Sequence, residues 1–290
     1  MRRADPRVVL GIHRSRHQRP LLTGALDHGV TALDTGSNYL GFTSHQVLAR
    51  VAGDLLPRFS LSTKVGYFPT PNGAVHCLDP VQLSAAVAQT ARELGREPDL
   101  VFLHNPERSL PGPSSEQSRE VLAQACGALA SATARGWCGA WGIASWNPAP
   151  LPDLIDPSTP RPSVLMVRAG LLASLPVLDA ADRLTTAWGL GEEQVWGMSP
   201  FGGSTRAPIW DRIDPCLFLP PNCGLSPLQA AFRTAFHLPR VTTMAVGTDN
   251  RAHLGELTDA LACDVDEQAI REYRCLLRDV YAVSPPGGPR

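Results

Sequence analysis

The chain has 290 residues, of which 43% are hydrophobic and 18% are charged, a composition that allows one large buried core. Its formal charge of -1 comes from 26 basic and 27 acidic residues without a long run of either sign, which excludes the electrostatic pattern of a nucleic-acid-binding protein. No apolar stretch approaches the roughly 20 residues that cross a bilayer, so we expect no membrane span.

The N-terminus and the cysteines bear on the cellular compartment. Residues 1–6 lead into a short apolar run that Gly11 and His13 interrupt, which is not the pattern of a signal peptide. The seven cysteines are odd in number and form no Cys-x-x-Cys pair. We therefore predict reduced thiols, no metal site and a cytoplasmic location.

Eight short β-rich segments recur along the chain, and longer stretches with helical spacing lie between them. The predicted strands cover residues 7–10, 31–34, 59–65, 99–103, 139–143, 164–167, 195–198 and 243–246. Helices are predicted over 81–94, with Asp79 as N-cap and Pro80 at the first helical position, and over 116–134. Ser226 opens a helix that runs to 237, Asn250 caps one that runs to 262, and a last helix covers 266–280.

Strands that alternate with helices predict a parallel sheet, and eight such units predict a (β/α)8 TIM barrel, here with a C-terminal extra helix. We expect one domain over residues 1–283 and a disordered Pro/Gly-rich tail over 284–290. A doubly wound open sheet is the alternative. It lacks support, because the chain has neither a Gly-x-Gly-x-x-Gly after its first strand nor a phosphate loop.

Two irregular segments follow predicted strands, over residues 67–79 and 200–223. In a barrel they extend from the carboxyl ends of the strands, where loops close over a substrate. Neither segment carries a motif that identifies the substrate.

Four residues with catalytic side chains end a predicted strand or begin the loop after it: Asp34, Tyr39, Lys64 and His104. Lys64 is the single lysine of the chain. Where arginine serves nearly everywhere else, a lysine indicates a need for a compact ammonium group.

The sequence around these residues resembles the aldo-keto reductases. The resemblance lies in Gly-Val-Thr-Ala-Leu-Asp-Thr at 29–35 with Tyr39, in Ser-Thr-Lys-Val-Gly at 62–66, and in Asp-Leu-Val-Phe-Leu-His-Asn-Pro at 99–106. It continues in Ala-Arg-Gly at 134–136, Trp-Gly-Ile-Ala-Ser at 141–145, Ser199-Pro200 and Val246-Gly247. The stretch 166–172 is similar to the aldose 1-dehydrogenase and pyridoxal dehydrogenase branch.

The resemblance implies an NAD(P)H-dependent oxidoreductase that interconverts a carbonyl, in an aldehyde, ketone or sugar-like compound, with an alcohol. Reduction leaves an alkoxide that needs a proton, and a tyrosine with a pKa near 10 is a poor donor. We expect Lys64 to lower the pKa of Tyr39, Asp34 to hold Lys64, and His104 to orient the carbonyl.

The predicted cofactor site departs from the common family pattern. Met166 and Met198 stand where relatives have a glutamine and a stacking tyrosine, and Trp146 replaces an asparagine. Ser145 and Asn147 are candidates for binding the carboxamide. Further candidates for the cofactor are Ser199, Gly202, Gly247, Thr248, Arg251 and His253, the last three at the place of the adenosine 2'-phosphate. We expect NADPH, with NADH possible because Asp249 would repel that phosphate.

Two other functions fit the same residues. One is redox-neutral acid-base catalysis on this barrel, by a dehydratase or cyclase, and the other is a non-catalytic nucleotide-binding regulatory subunit. In either case the expected partner is a small molecule, and the expected assembly is a monomer or weak homo-oligomer.

Overall fold

Eight parallel strands close into a barrel in the computed structural model, which describes residues 5–15, 17–112 and 115–283. The barrel strands are β1 (Val8–Gly11), β2 (Ala32–Asp34), β3 (Ser60–Val65), β6 (Leu100–His104), β7 (Ala140–Ser145), β8 (Val164–Arg168), β9 (Val195–Met198) and β10 (Thr243–Val246). Each pairs in parallel with its neighbours, and β1 closes the ring against β10. The predicted barrel and all eight predicted strands are confirmed. The tail at 284–290 lies outside the described residues.

The helices pack around this ring. They are α1 (Arg19–Asp27), α2 (Ser44–Ala52), α3 (Pro80–Leu94), α4 (Glu116–Ala134), α5 (Leu175–Ala187), α6 (Pro227–Thr234), α7 (Arg251–Ala260) and α8 (Glu267–Val283). The Asp79 side chain caps α3 by accepting a hydrogen bond from the N–H of Gln82 at 2.8 Å, as predicted. Helix α6 ends three residues before its predicted end, in a chain reversal that contains Pro239, a residue that cannot continue a helix.

Alternate residues of each barrel strand face the inside of the barrel. The interior cluster contains Val9, Leu100, Phe102, Ala144, Met166 and Ala245. Leu61, Leu103 and Ile143 belong instead to the large outer cluster. Because strand residues alternate between faces, Asp34, Lys64 and His104 share the inner face and lie towards the mouth of the barrel.

The segment 67–79 is not irregular as predicted, because it forms an antiparallel hairpin of β4 (Tyr67–Thr70) and β5 (Gly73–His76). Most hairpin residues beyond the first two of β4 are exposed, so the strands have no apolar alternation that sequence reasoning could detect. A further difference follows β7, where a short 3-10 turn at Pro152–Leu154 replaces the α-helix of that unit.

The prediction of seven reduced thiols is wrong for two cysteines. Cys223 and Cys263 form a disulfide with their Cα atoms 6.4 Å apart, whereas the other five cysteines are free. The pair joins the segment before α6 to the end of α7, at a sequence separation of 40 residues that no local spacing reveals. Within the described ranges, no helix is both long enough and apolar enough to cross a membrane.

Candidate active site

A cleft of about 870 Å³ opens at the carboxyl ends of the barrel strands. Nine of the predicted site residues line it: Asp34, Tyr39, Lys64, His104, Met166, Met198, Ser199, Gly247 and Thr248. The other five predicted residues do not: Ser145, Asn147, Gly202, Arg251 and His253. The volume lies within the usual range for small-molecule and cofactor sites.

Lys64 is only 2% exposed and forms a buried ion pair with Asp34. Its ammonium also donates a hydrogen bond to the Thr35 carbonyl at 2.8 Å, and Asp34 accepts a second hydrogen bond from the Ser62 hydroxyl at 2.8 Å. Burial lowers the pKa of Lys64, but Asp34 and Tyr39 outweigh this effect, so the net shift is upward. Lys64 is therefore a fixed cation at the base of the cleft.

Tyr39 lies beside this cation, with the Lys64 Nζ 5.2 Å from the centroid of its ring. Burial raises the pKa of Tyr39, and Lys64 opposes that rise without cancelling it. Lys64 thus acts in the predicted direction, but the net pKa shift is upward rather than downward. The cause is the nearly complete burial of a ring that is 7% exposed.

His104 completes the predicted group, with its ring centroid 6.3 Å from that of Tyr39. Burial holds the pKa of His104 well below the ordinary histidine value, and the neighbouring Lys64 lowers it further. Its Nδ1 is buried and has no hydrogen-bond partner in the described part of the chain. A neutral imidazole in this position can donate one hydrogen bond to a substrate oxygen.

Two aromatic neighbours of this group were missed by sequence reasoning. The His13 ring centroid lies 4.7 Å from that of Tyr39, and the Tyr67 centroid lies 4.9 Å from that of His104. His13 follows the inward-facing Gly11 by two residues, so the alternation of β1 could have predicted that His13 faces the cleft. Tyr67 begins a hairpin that the sequence does not reveal.

The hairpin is fastened to the end of β6. His76 Nε2 lies 2.7 Å from the backbone carbonyl of His104 and donates a hydrogen bond to it. The Asn105 side chain donates to the Tyr67 hydroxyl at 3.3 Å and accepts from the N–H of Trp146 at 2.8 Å. These contacts place Tyr67 and Trp146 on the wall of the cleft.

Ser145 and Asn147 do not line the cleft. The Ser145 hydroxyl is buried without a hydrogen-bond partner among the described residues. The N–H of Asn147 donates to a Glu107 carboxylate oxygen at 2.9 Å, and burial raises the pKa of Glu107. Trp146, between them, lines the cleft instead.

The other end of the cleft carries groups suited to phosphates. Arg14 and Arg206 line it, and Arg14 donates to the carbonyl of Gly203 at 2.7 Å. Asp249 also lines this end, directly before the N-terminus of α7. His253, on the first turn of α7, lies beyond the cleft with its Nδ1 3.5 Å from the Thr248 hydroxyl.

The model of the Aldo/keto reductase family matches residues 13–174, which is more than half of the chain and includes all four residues of the predicted catalytic group. The chain belongs to the aldo/keto reductase family. Members of this family are NAD(P)-dependent oxidoreductases, and this aldo/keto reductase is accordingly an enzyme of that class. A search among curated protein sequences found no significant match.

Solved structures of other aldo-keto reductases have the same fold. The holo form of one from Bacillus halodurans matches with a TM-score of 0.71 and 17% identity, over 92% of this chain and 91% of that one. One from Klebsiella pneumoniae in complex with NADPH matches with a TM-score of 0.66 and 17% identity, over 98% of this chain and 93% of that one. A glycerol dehydrogenase from Gluconobacter oxydans matches with a TM-score of 0.67 and 15% identity, over 98% of this chain and 94% of that one.

Proposed function

We propose that this aldo/keto reductase interconverts a small carbonyl compound and its alcohol, with Tyr39 as the general acid and base. The observation that carries the proposal is the buried Lys64–Asp34 pair beside the Tyr39 ring, at the floor of the cleft. A buried ion pair contributes little to stability by itself, so its position beside a buried phenol favours a catalytic purpose.

The cleft fits a nicotinamide dinucleotide in size and in the order of its wall groups. Met166, Met198 and Trp146 offer apolar surface near Tyr39, and Arg14 and Arg206 offer positive charge towards the far end. Bound there, NADPH supplies a hydride to the carbonyl carbon. The structure of the Klebsiella pneumoniae relative with NADPH supports this choice of cofactor.

In reduction, the carbonyl oxygen gains the electron pair of the former π bond and needs a proton. Tyr39 donates that proton from its hydroxyl, and the raised pKa of Tyr39 keeps the proton in place until the oxygen becomes basic. Lys64 then stabilises the tyrosinate that remains. Neutral His104 donates a hydrogen bond to the same oxygen and holds the carbonyl beside Tyr39.

The first test replaces the two central groups separately, as Tyr39→Phe and Lys64→Met. We expect each variant to bind NADPH with an affinity close to that of the wild type, as measured by quenching of NADPH fluorescence. Each should lose about 100-fold or more of its turnover with an aldehyde panel, the usual contribution of a positioned acid and its electrostatic support. Arg92→Met, on the exposed face of α3, is the matched control and should retain full activity.

Several outcomes would contradict the proposal. Wild-type protein that neither binds nor oxidises NADPH or NADH would remove it. Turnover of a substrate without added nicotinamide would favour redox-neutral acid-base catalysis. If the protein binds the cofactor but Lys64→Met changes no measurable turnover, this result would favour a regulatory subunit.

A further inference from the structure

Arg168 ends β8 at the mouth of the barrel. Met166, two residues earlier, belongs to the barrel interior, so the alternation of the strand places Arg168 on the same inner face. Its register partner on β9 is Met198, and Trp146 follows the last paired residue of β7 on the other side. Both of these neighbours line the cleft, whereas Arg168 itself lies beside them and is not part of the lining.

The guanidinium of Arg168 lies against the ring of Trp146, with its central carbon 5.0 Å from the ring centroid. No hydrogen bond or ion pair of this side chain occurs within the described ranges, and its Nε is buried without an acceptor. Burial lowers the pKa of Arg168, and no acidic neighbour offsets that effect. A half-buried arginine that lacks a carboxylate is costly to maintain, which points to an acceptor from outside the chain.

Most of the charges near this end of the cleft are positive, and the one nearby carboxylate outside the lining, Glu107, accepts a hydrogen bond from the N–H of Asn147. Arg108 lies over the ring of Tyr67, with its central carbon 5.9 Å from the centroid, on the hairpin side of the mouth. The carboxylate of Asp34 is already paired with Lys64, and Asp249 lies at the cofactor end beside Thr248. None of these carboxylates forms an ion pair with Arg168 within the described ranges, so the charge of Arg168 is unpaired there.

We propose that Arg168 binds a carboxylate on the substrate, so that the enzyme acts on carbonyl compounds that carry an acidic group. The inference rests on the proposed function of the same cleft. The guanidinium packs over the Trp146 ring and has no hydrogen-bond partner within the described ranges, and guanidinium N–H groups match the two oxygens of a carboxylate.

The test compares 4-carboxybenzaldehyde with its neutral analogue, methyl 4-formylbenzoate, in wild type, Arg168→Gln and Arg168→Lys. In Arg168→Gln we expect KM for the carboxylate to rise about tenfold or more, because a charged bidentate contact is lost. The ester should keep its KM within about twofold, and NADPH affinity should not change. The KM of Arg168→Lys for the carboxylate should lie between those of wild type and Arg168→Gln. The surface variant Arg183→Gln on α5 is the matched control and should leave both substrates unaffected.

A binding measurement keeps this inference separate from the proposed reaction. Calorimetry with 4-carboxybenzyl alcohol and its methyl ester, with and without NADP, should show tighter binding of the carboxylate to wild type and no preference in Arg168→Gln. Absence of turnover together with this preference would remove the proposed function and leave the carboxylate site standing. Equal loss for both ligands, or weaker NADPH binding in Arg168→Gln, would overturn the inference and assign Arg168 to structure or to the cofactor.

Discussion

Three titratable groups share the floor of the cleft, and their protonation follows from burial. Lys64 remains charged because Asp34 and Tyr39 outweigh its desolvation, while Tyr39 and His104 both remain neutral. A phenol with a raised pKa keeps its proton at neutral pH, the cation beside it would stabilise the tyrosinate after proton transfer, and a neutral imidazole does not compete with that cation. This division of charge favours reduction at neutral pH.

The pH dependence of the reduction follows from these directions. The proposed mechanism requires the acid form of Tyr39, and its raised pKa keeps that form present up to at least the ordinary tyrosine value of about 10. His104, with its pKa well below the ordinary value, should add no limb near pH 6.5. We therefore expect kcat/KM for reduction to be flat from about pH 6 to 9.

The measurement is a profile of kcat/KM in constant ionic strength, repeated for His104→Gln. The reverse oxidation should instead rise with pH, because it needs tyrosinate. An inflection near pH 6.5 in wild type that disappears in His104→Gln would show that His104 titrates in this range and would contradict the assignment.

The residue identities of the proposed catalytic group were within reach of the sequence, because strand ends in a parallel barrel meet at one mouth. Asp34, Lys64 and His104 each lie at or near the end of a predicted strand, and the resemblance to the aldo-keto reductases joins Tyr39 to them. The net pKa of Tyr39 was not within reach, since it depends on how deeply the ring is buried. Predicting a role for Arg168 requires knowing which residues of β8 face the inside of the barrel. Predicting one for Tyr67 requires knowing that β4 and β5 form a hairpin.

Among the elements, the eight barrel strands were predictable because strands buried on both faces read as short apolar runs. The hairpin of β4 and β5 has mostly exposed residues and gives no such run. The absence of an α-helix after β7 was not predicted either. Pro148, Pro150 and Pro152 favour turns, but they do not determine whether a helix follows them before the next strand.

Helices α2 and α3 are joined by a side-chain hydrogen bond that gives a prediction at this scale. The ring of buried His45 lies 3.3 Å from a carboxylate oxygen of Glu93. This contact lowers the pKa of Glu93 to about 2 from its usual 4.5. A carboxyl with a depressed folded pKa stabilises the fold above its unfolded pKa, and that stabilisation is lost as the pH falls towards the folded value.

We expect Glu93→Gln to lower the thermal midpoint of unfolding at pH 6, with the difference from wild type shrinking steadily between about pH 4.5 and 3. Glu97→Gln, at an exposed position after α3, is the control and should show no such pH dependence. A difference that stays constant with pH would show that the carboxylate charge does not contribute. Scanning calorimetry at several pH values makes the comparison.

For the whole molecule, the unpaired charges of described residues that line the cleft are Arg14 and Arg206, which are basic, and Asp249, which is acidic. That carboxylate stands where the adenosine end of the cofactor is proposed to bind, and it would repel a 2'-phosphate while tolerating a ribose hydroxyl. We expect Asp249→Ser to bind NADPH more tightly, by a factor of several, and to bind NADH no better than wild type does. Fluorescence titration of both nucleotides measures this ratio.

Asp211→Ser, an exposed change in the segment between β9 and α6 that does not line the cleft, is the control for Asp249→Ser. An unchanged ratio of the two affinities would remove Asp249 from the choice of cofactor.

The cysteines show what composition alone cannot reveal at this scale. An odd count without a paired motif argues for free thiols, yet distant packing brings Cys223 and Cys263 together. Since disulfides are rare in a reducing cytoplasm, the pair removes the cysteine argument for that location, which remains a prediction.

The single lysine has a practical consequence for chemical labelling. Its ε-amine is the one side-chain amine of the protein, and in the folded state it is 2% exposed and paired with Asp34. An amine-reactive ester should therefore modify the folded chain at its α-amino group alone and reach a second site only when the barrel opens. The mass of the labelled protein then reports directly on how often the floor of the cleft is exposed to solvent.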